Sequence, residues 1–386
     1  MPSVFLGSRN PILFGCGTSK LTGEKLKEFG CKKVLVVYDK GVKAAGIVDK
    51  ILGYIHDAGI ETVCFDRVLP DPPDYICEEA GALGVAEKVD GVVAIGGGSS
   101  LDTGKAAKVL LTNPPPISRY FLKHEDIVPD ESNMKPIIVI PTTAGTGSEA
   151  TPGGVITDTK NNCKQNVPCA TNLGIVDPEL TLGLPPAVTV TTAIDALCHC
   201  VEAYTSKENN RISDVLAKEA IYLIGQNLRK VIQDGSDLKA RENVQMAATL
   251  AGLSIMGPFC NIPHEIGLVL GMIFHLPHGI ACGITLPEAL EYLAPAIPER
   301  IKTVTQLLGG KVPDDACPEE IGRIAYNTVR SLYDDVGMPK LKDLVKSKEE
   351  LVAAVPEIMD YSPFEFSARP VTAEDVKAIL EKAYNA

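Results

Sequence analysis

The chain has 386 residues, 22 % of them charged, with a net charge of −12 and a pI near 5.1. That balance argues against nucleic acid or an anionic membrane surface as partner, since both require a basic footprint. Its length exceeds what one hydrophobic core usually serves, so two domains are expected.

The opening stretch MPSVFLGSRNPILFG lacks a basic segment followed by an apolar one. No uninterrupted apolar run is long enough to span a bilayer, and a cytoplasmic protein is expected. From Pro11 to about Pro185, short β-branched runs alternate with helical patterns. The runs are KKVLVVYD, ETVCFDRV, DGVVAIGG and KPIIVIPTT, and segments such as DKILGYIHDAG and EEAGALGVAEKV separate them. This alternation predicts parallel strands with crossover helices, a Rossmann-like α/β domain over residues 1–185. The runs are nearly all apolar, as in strands covered on both faces.

GVVAIGGGSSLDTGKAAKVLL reads as strand, glycine turn, helix, and puts Gly96, Gly97, Gly98 and Ser99 at a helix N-terminus where free N–H groups favour phosphate. A nucleotide-triphosphate loop is excluded: five residues separate Gly98 from Gly104-Lys105, and Ala106 follows the lysine. A GxGxxG fingerprint is absent too, so a plain strand-helix turn stays open. Asp39 ends the strand VLVVYD, where a carboxylate suits a ribose diol and repels a 2′-phosphate. That favours NAD over NADP, although an ordinary turn residue at a strand end reads the same way. A second loop, PTTAGTGSEAT, offers Thr142, Thr143, Thr146 and Ser148 hydroxyls after the strand KPIIVI. Two such loops and Asp39 together point to a dinucleotide.

Beyond Pro185-Pro186 the strand signal stops, and residues 186–386 form an expected all-α domain. In VTTAIDALCHCVEAY, Asp195 and His199 are four apart and share one helical face. His264 and His278 follow in NIPHEIGLVLGMIFHLPHG, with His278 in the turn-like tripeptide Pro277-His278-Gly279. An Asp-x-x-x-His pair alone fits a surface or capping arrangement. Four such residues in an apolar setting would each cost several kcal/mol if left unpaired, and a cation removes that cost. One oxygen and three nitrogens suit Fe(II), Zn(II), Mn(II) or Co(II). Eleven cysteines without CxxC spacing fit reduced thiols, and Cys198 and Cys200 should face away from His199's partners because helix neighbours point about 100° apart. His275 reads as a solvated turn residue.

VVYDKG, GGGSSLDTGK, PTTAGTGSE, GIVDPELTLGLPP, the Asp195 and His199 helix and LPHG together resemble the iron-containing (group III) alcohol dehydrogenases over essentially the whole chain. The resemblance implies an N-terminal dinucleotide domain, a helical metal domain, NAD(P)-linked interconversion of alcohols and aldehydes or ketones, and a homo-oligomer, with a dimer favoured. It implies Asp195, His199, His264 and His278 as metal ligands. It further implies Gly97, Gly98, Ser99, Asp102, Thr142, Thr143, Thr146, Lys164 and Leu182 as cofactor contacts. Many relatives carry a histidine four residues after the third ligand, where this chain has Leu268. The stretch after Lys164 is also a few residues shorter than usual.

These readings combine into a dehydrogenase whose metal acts as a Lewis acid on the substrate oxygen while hydride moves to or from NAD(H). Arg241 and Arg300 bound a stretch without lysine or arginine, and residues 186–206 have none. Carboxylate recognition commonly recruits a basic side chain, so a small neutral aldehyde or alcohol is the expected substrate. Two alternatives remain: a hydroxyacid or semialdehyde dehydrogenase or transhydrogenase of the same fold, and a metal-binding relative without turnover.

Overall fold

The computed structural model describes residues 10–122, 127–361 and 364–386. The opening residues used above to argue against a leader thus lie mostly outside the described residues. By their contacts, residues divide into two compact units, one running to Thr143 and from Gly147 to Gly183, the other comprising Ala144–Thr146 and Leu184–Ala386.

The first unit follows β1 (Ile12–Phe14), α1 (Thr22–Glu28), β2 (Lys33–Tyr38), α2 (Lys40–Ala44), α3 (Ile47–Asp57), β3 (Glu61–Phe65), α4 (Asp74–Ala86), β4 (Gly91–Gly96), α5 (Gly98–Leu110), β5 (Ile137–Pro141), β6 (Gly153–Asp158), β7 (Cys163–Pro168) and β8 (Leu173–Val176). Six strands form one parallel sheet in the order β1-β8-β5-β4-β2-β3. Alternate residues of the strands feed two cores. Val34, Val36, Val93, Ile95, Ile138 and Ile140 pack with Leu26 of α1 and Val48, Ile51 and Ile55 of α3. Leu35, Val37, Val92, Ala94, Ile137 and Val139 pack on the opposite face with Ile76 and Ala80 of α4 and Leu101 and Ala107 of α5. Both faces are therefore covered, which explains the nearly unbroken apolar runs.

From β2 the chain moves outward to β3, then returns to β4 on the other side and proceeds to β5. The strand order thus reverses between β2 and β4, and in open α/β sheets a ligand crevice forms outside the carboxyl ends at such a point. Asp39 follows β2, Gly97 follows β4 and Thr142 follows β5. The hairpin β6–β7 is antiparallel and separate from this sheet, so the first half is not purely strand-crossover-strand.

The second unit contains α6 (Pro186–Thr205), α7 (Arg211–Gln233), α8 (Leu238–Ser254), α9 (Ile262–Phe274), α10 (His278–Gly283), α11 (Leu286–Leu293), α12 (Pro298–Leu307), α13 (Pro318–Val336), α14 (Leu341–Leu344), α15 (Lys348–Ala353), α16 (Val355–Tyr361) and α17 (Ala373–Asn385). One core runs through it, with Ile194, Leu197 and Val201 of α6 packed among Ile221 and Ile224 of α7, Val244 and Ala248 of α8 and Ile266 and Leu270 of α9. Among the described residues no helix is long and apolar enough to cross a membrane. None of the eleven cysteines is in a disulfide.

Candidate metal centre and nucleotide loops

Three helices of the second unit bring the four metal-ligand candidates together. Asp195 and His199 project from one face of α6, His264 stands in the first turn of α9, and His278 opens α10. His278 was expected in a turn; Pro277 is instead the N-cap of a short helix, so His278 is its first residue. Gly279 makes the approach possible: a Cβ there would fall 2.1 Å from the Thr191 carbonyl oxygen and 2.9 Å from Asp195 Cβ.

Asp195 Oδ1 is the common point. It lies 3.5 Å from His264 Nε2, 3.6 Å from His278 Nε2 and 4.0 Å from His199 Nε2. His199 and His264 stack with ring centroids 4.4 Å apart. The side chains of Asp195, His264 and His199 are 4, 7 and 8 % exposed, whereas His278 is 34 % exposed and forms the open edge. Asp195 Oδ1, His264 Nε2 and His199 Nδ1 are buried without a hydrogen-bond partner. A native core rarely leaves polar atoms orphaned at about 1–3 kcal/mol each, so the donor set fits a cation.

Charge follows the same logic. Burial works against an ionised Asp195, but the surrounding His199, His278 and His264 hold its carboxyl well below the usual range. Burial pushes His199 down to about 4 against the pull of Asp195. The negative field of Cys282 outweighs burial and, with Asp195, pushes His278 up to about 9. The cluster thus attracts positive charge, which a divalent cation can supply in place of protons.

Sequence reasoning missed two neighbours. Glu202 is buried on α6, its Oε1 2.5 Å from His264 Nδ1 and its Oε2 accepting from the Asn261 and His264 backbone N–H groups. Because a carboxylate only accepts, Nδ1 carries a proton, which leaves Nε2 as the nitrogen that would face a cation beside Asp195. Glu202 sits three residues after His199 and seven after Asp195, a same-face spacing visible in the sequence. Cys282, one turn beyond His278, also joins the cluster. Cys198 and Cys200 belong to neither candidate group of ligands and are buried in the core of the unit. His275 caps α9 with a left-handed backbone, exposed to solvent, and Leu268 is half-buried on the same helix.

In the first unit, Gly97 is the N-cap of α5 and no side chain caps that end, so Gly98 and Ser99 begin a helix with free donors. Thr142 N–H donates to the Gly96 carbonyl oxygen at 2.9 Å, tying the loop after β5 to the loop after β4. Thr142 is buried; Gly97, Gly98, Ser99 and Thr143 are half-buried, as is Thr146, which groups with the second unit. Asp39 caps α2: its Oδ1 accepts from Gly41 and Val42 N–H, and its Oδ2 accepts from Ser100 Oγ at 3.1 Å.

Other residues named above have partners inside the protein. Asp102 accepts from Ser148 Oγ at 2.7 Å and from Val155 N–H at 3.1 Å. Lys164 on β7 pairs with Asp71 at 2.6 Å and donates to Thr157 Oγ1. Leu182 follows the short helical turn Pro178–Thr181 and is half-buried.

Comparison with known proteins agrees with this arrangement. The sequence profile of iron-containing alcohol dehydrogenases matches residues 10–178, and that of the C-terminal part of the Fe-containing alcohol dehydrogenase family matches residues 189–384. Choline dehydrogenase of Bacillus subtilis (strain 168) is 35 % identical over 377 residues, 97 % of this chain and 91 % of that protein. 1,3-Propanediol dehydrogenase of Klebsiella pneumoniae is 35 % identical over 389 residues, 97 % of each chain. A crystal structure of 1,3-propanediol oxidoreductase matches with a TM-score of 0.91 and 32 % identity, covering 98 % of this chain and 100 % of that one. With both profiles matched and both relatives aligned nearly end to end, the chain belongs to the iron-containing alcohol dehydrogenases.

Proposed function

We propose that the chain interconverts a short, uncharged aldehyde and its alcohol with NAD(H), using a divalent metal, iron in the first instance, held by Asp195, His199, His264 and His278. The observation that carries this is the orphaned, buried Asp195 Oδ1 with three imidazoles 3.5 to 4.0 Å away. When bound, the metal supplies Lewis acidity towards the substrate oxygen. Asp195 brings the compensating charge, Glu202 orients His264, and the partly exposed His278 borders the side open to solvent.

The first unit serves in this reading as the dinucleotide domain. Gly97, Gly98 and Ser99 offer the α5 N-terminus to the pyrophosphate, with Thr142, Thr143, Thr146, Asp102, Lys164 and Leu182 as further contacts. Asp39 disfavours a 2′-phosphate through its charge. On the family resemblance we also read the protein as a cytoplasmic homodimer.

An uncharged substrate is supported by where the nearest basic residues in sequence are committed. Arg241 donates to Thr189 Oγ1, Arg300 pairs with Asp214, and Arg369 donates to the Tyr292 carbonyl oxygen while lying over its ring. Lys164 is paired with Asp71.

Two measurements test the proposal. His264→Ala and His278→Ala, made separately, should each lose bound metal and aldehyde reduction together; stoichiometric metal in both would refute the ligand set. Propanal should show a higher kcat/KM than succinic semialdehyde at equal concentration, and the reverse order would refute the substrate class.

A further inference from the structure

Cys282 is a buried thiol that the four-ligand set does not use. It stands one turn after His278 on α10, with Sγ 3.7 Å from His278 Nδ1 and 3.8 Å from Nε2. Its helix is pressed against α9: a Cβ on Gly267 would fall 2.8 Å from Cys282 Sγ and 2.6 Å from its Cα. Gly267 is three residues beyond His264, so the sulfur meets the face of α9 that carries that histidine.

Ligand atoms of Asp195, His264, His278 and Cys282 all lie within 4.8 Å of one another, a set without His199, which groups instead with Cys260 and His264. Bonds of about 2.0 Å to nitrogen or oxygen and about 2.3 Å to sulfur put the nitrogen and oxygen donors of a tetrahedral site about 3.3 Å apart and its one sulfur about 3.5 Å from each of them. Asp195 Oδ1 lies 3.5 Å from His264 Nε2 and 3.6 Å from His278 Nε2, and Cys282 Sγ lies 3.8 Å from that same His278 Nε2, each within about 0.3 Å of those spacings. His199 Nε2, 4.0 Å from Asp195 Oδ1, exceeds its spacing by about 0.7 Å. Two atoms of the set, Asp195 Oδ1 and His264 Nε2, are buried without hydrogen-bond partners.

We propose that the centre has a second mode of coordination, in which a thiophilic cation such as Zn(II) or Co(II) is held by Asp195, His264, His278 and Cys282, with His199 off the metal. This rests on the metal-centre reading above and adds a sulfur donor to it. Iron(II), which is less drawn to a single thiolate in competition with imidazole, stays in the three-imidazole mode. Binding in the sulfur mode forms one metal–sulfur bond, and the proton shared by the Cys282–His278 pair leaves to water, with no change of oxidation state. Four protein donors then close a tetrahedral shell.

The test loads the full-length, metal-stripped protein with Co(II) and records both cobalt per chain and the near-ultraviolet thiolate-to-cobalt charge-transfer band. The unmodified protein should bind one cobalt and show the band. Cys282→Ser and Cys282→Ala should keep the cobalt and lose the band, while Cys260→Ser and His199→Ala should keep both. One cobalt per chain without the band overturns the sulfur mode and leaves the four-ligand reading standing. A band lost in Cys260→Ser and retained in Cys282→Ser also overturns it, naming the wrong sulfur. Failure of the unmodified protein to bind cobalt at all overturns the metal centre and the sulfur mode together.

Discussion

Glu202 Oε1 and His264 Nδ1 lie 2.5 Å apart in the interior of the helical unit, a carboxylate fixing the far side of an imidazole whose near side points at Asp195. Such partners orient a ligating ring and raise its basicity, and their loss typically weakens metal binding about 10–100-fold. Glu202→Gln should therefore raise the metal dissociation constant by about that factor in a chelator competition. An unchanged constant would mean that His264 is oriented by other means.

Gly279→Ala tests the approach of α10 to α6. The new methyl would collide with the Thr191 carbonyl oxygen, which belongs to helix backbone and cannot turn aside. Overpacking of this kind costs about 1–3 kcal/mol, and the displacement would carry His278 away from Asp195. A lower Tm together with less metal per chain is expected; a variant with full metal content and unchanged Tm would contradict the packing described here.

Asp39→Asn separates charge from capping. Asparagine caps helices as well as aspartate, so α2 should persist while the negative charge disappears. The ratio of kcat/KM for NAD over NADP should fall by about tenfold, ~1.4 kcal/mol, within the range for removing one charge near a phosphate. A ratio that stays put would assign Asp39 to capping alone.

Lys105 is fully buried, its Nζ donating to the carbonyl oxygens of Ser148, Thr151 and Gly153 and to Ser148 Oγ, with Asp102 at 3.9 Å. Although it follows a glycine loop, it serves the loop after β5 and does not stand ready for phosphate. Lys105→Met should cost about 3 kcal/mol or more, because Asp102 and the carbonyl groups lose their partner. Urea denaturation would show this as a lower midpoint, and a change under about 1 kcal/mol would reassign the lysine to the surface.

The sheet was legible because β2, β4 and β5 are buried on both faces and write themselves as unbroken β-branched runs. β6 and β7 were not: GGVITD and CKQNVP alternate buried with more exposed positions, and Gln165, Asn166 and Lys164 dilute the pattern. In the metal centre, spacing exposed Asp195 and His199, but Cys282 became visible only once His278 proved to start a helix, since four residues mean one turn only there. The hydrogen bond from His264 to Glu202 depends on how α9 begins, at Asn261, whose side chain donates to the Glu202 carbonyl oxygen. No periodicity encodes that.

The contact between Gly267 and Cys282, with no room for a methyl between α9 and α10, bears on how the protein meets its metal supply. Backbone packed this tightly fixes the helices by van der Waals contact, so the ligand residues stand in place before any ion arrives. Small zinc modules work differently, folding only when loaded. Here chelation should empty the centre without melting the helices around it, and the emptied protein should be ready for whichever cation it meets next. The ion a given molecule carries would then record the cell's metal availability at the time of loading.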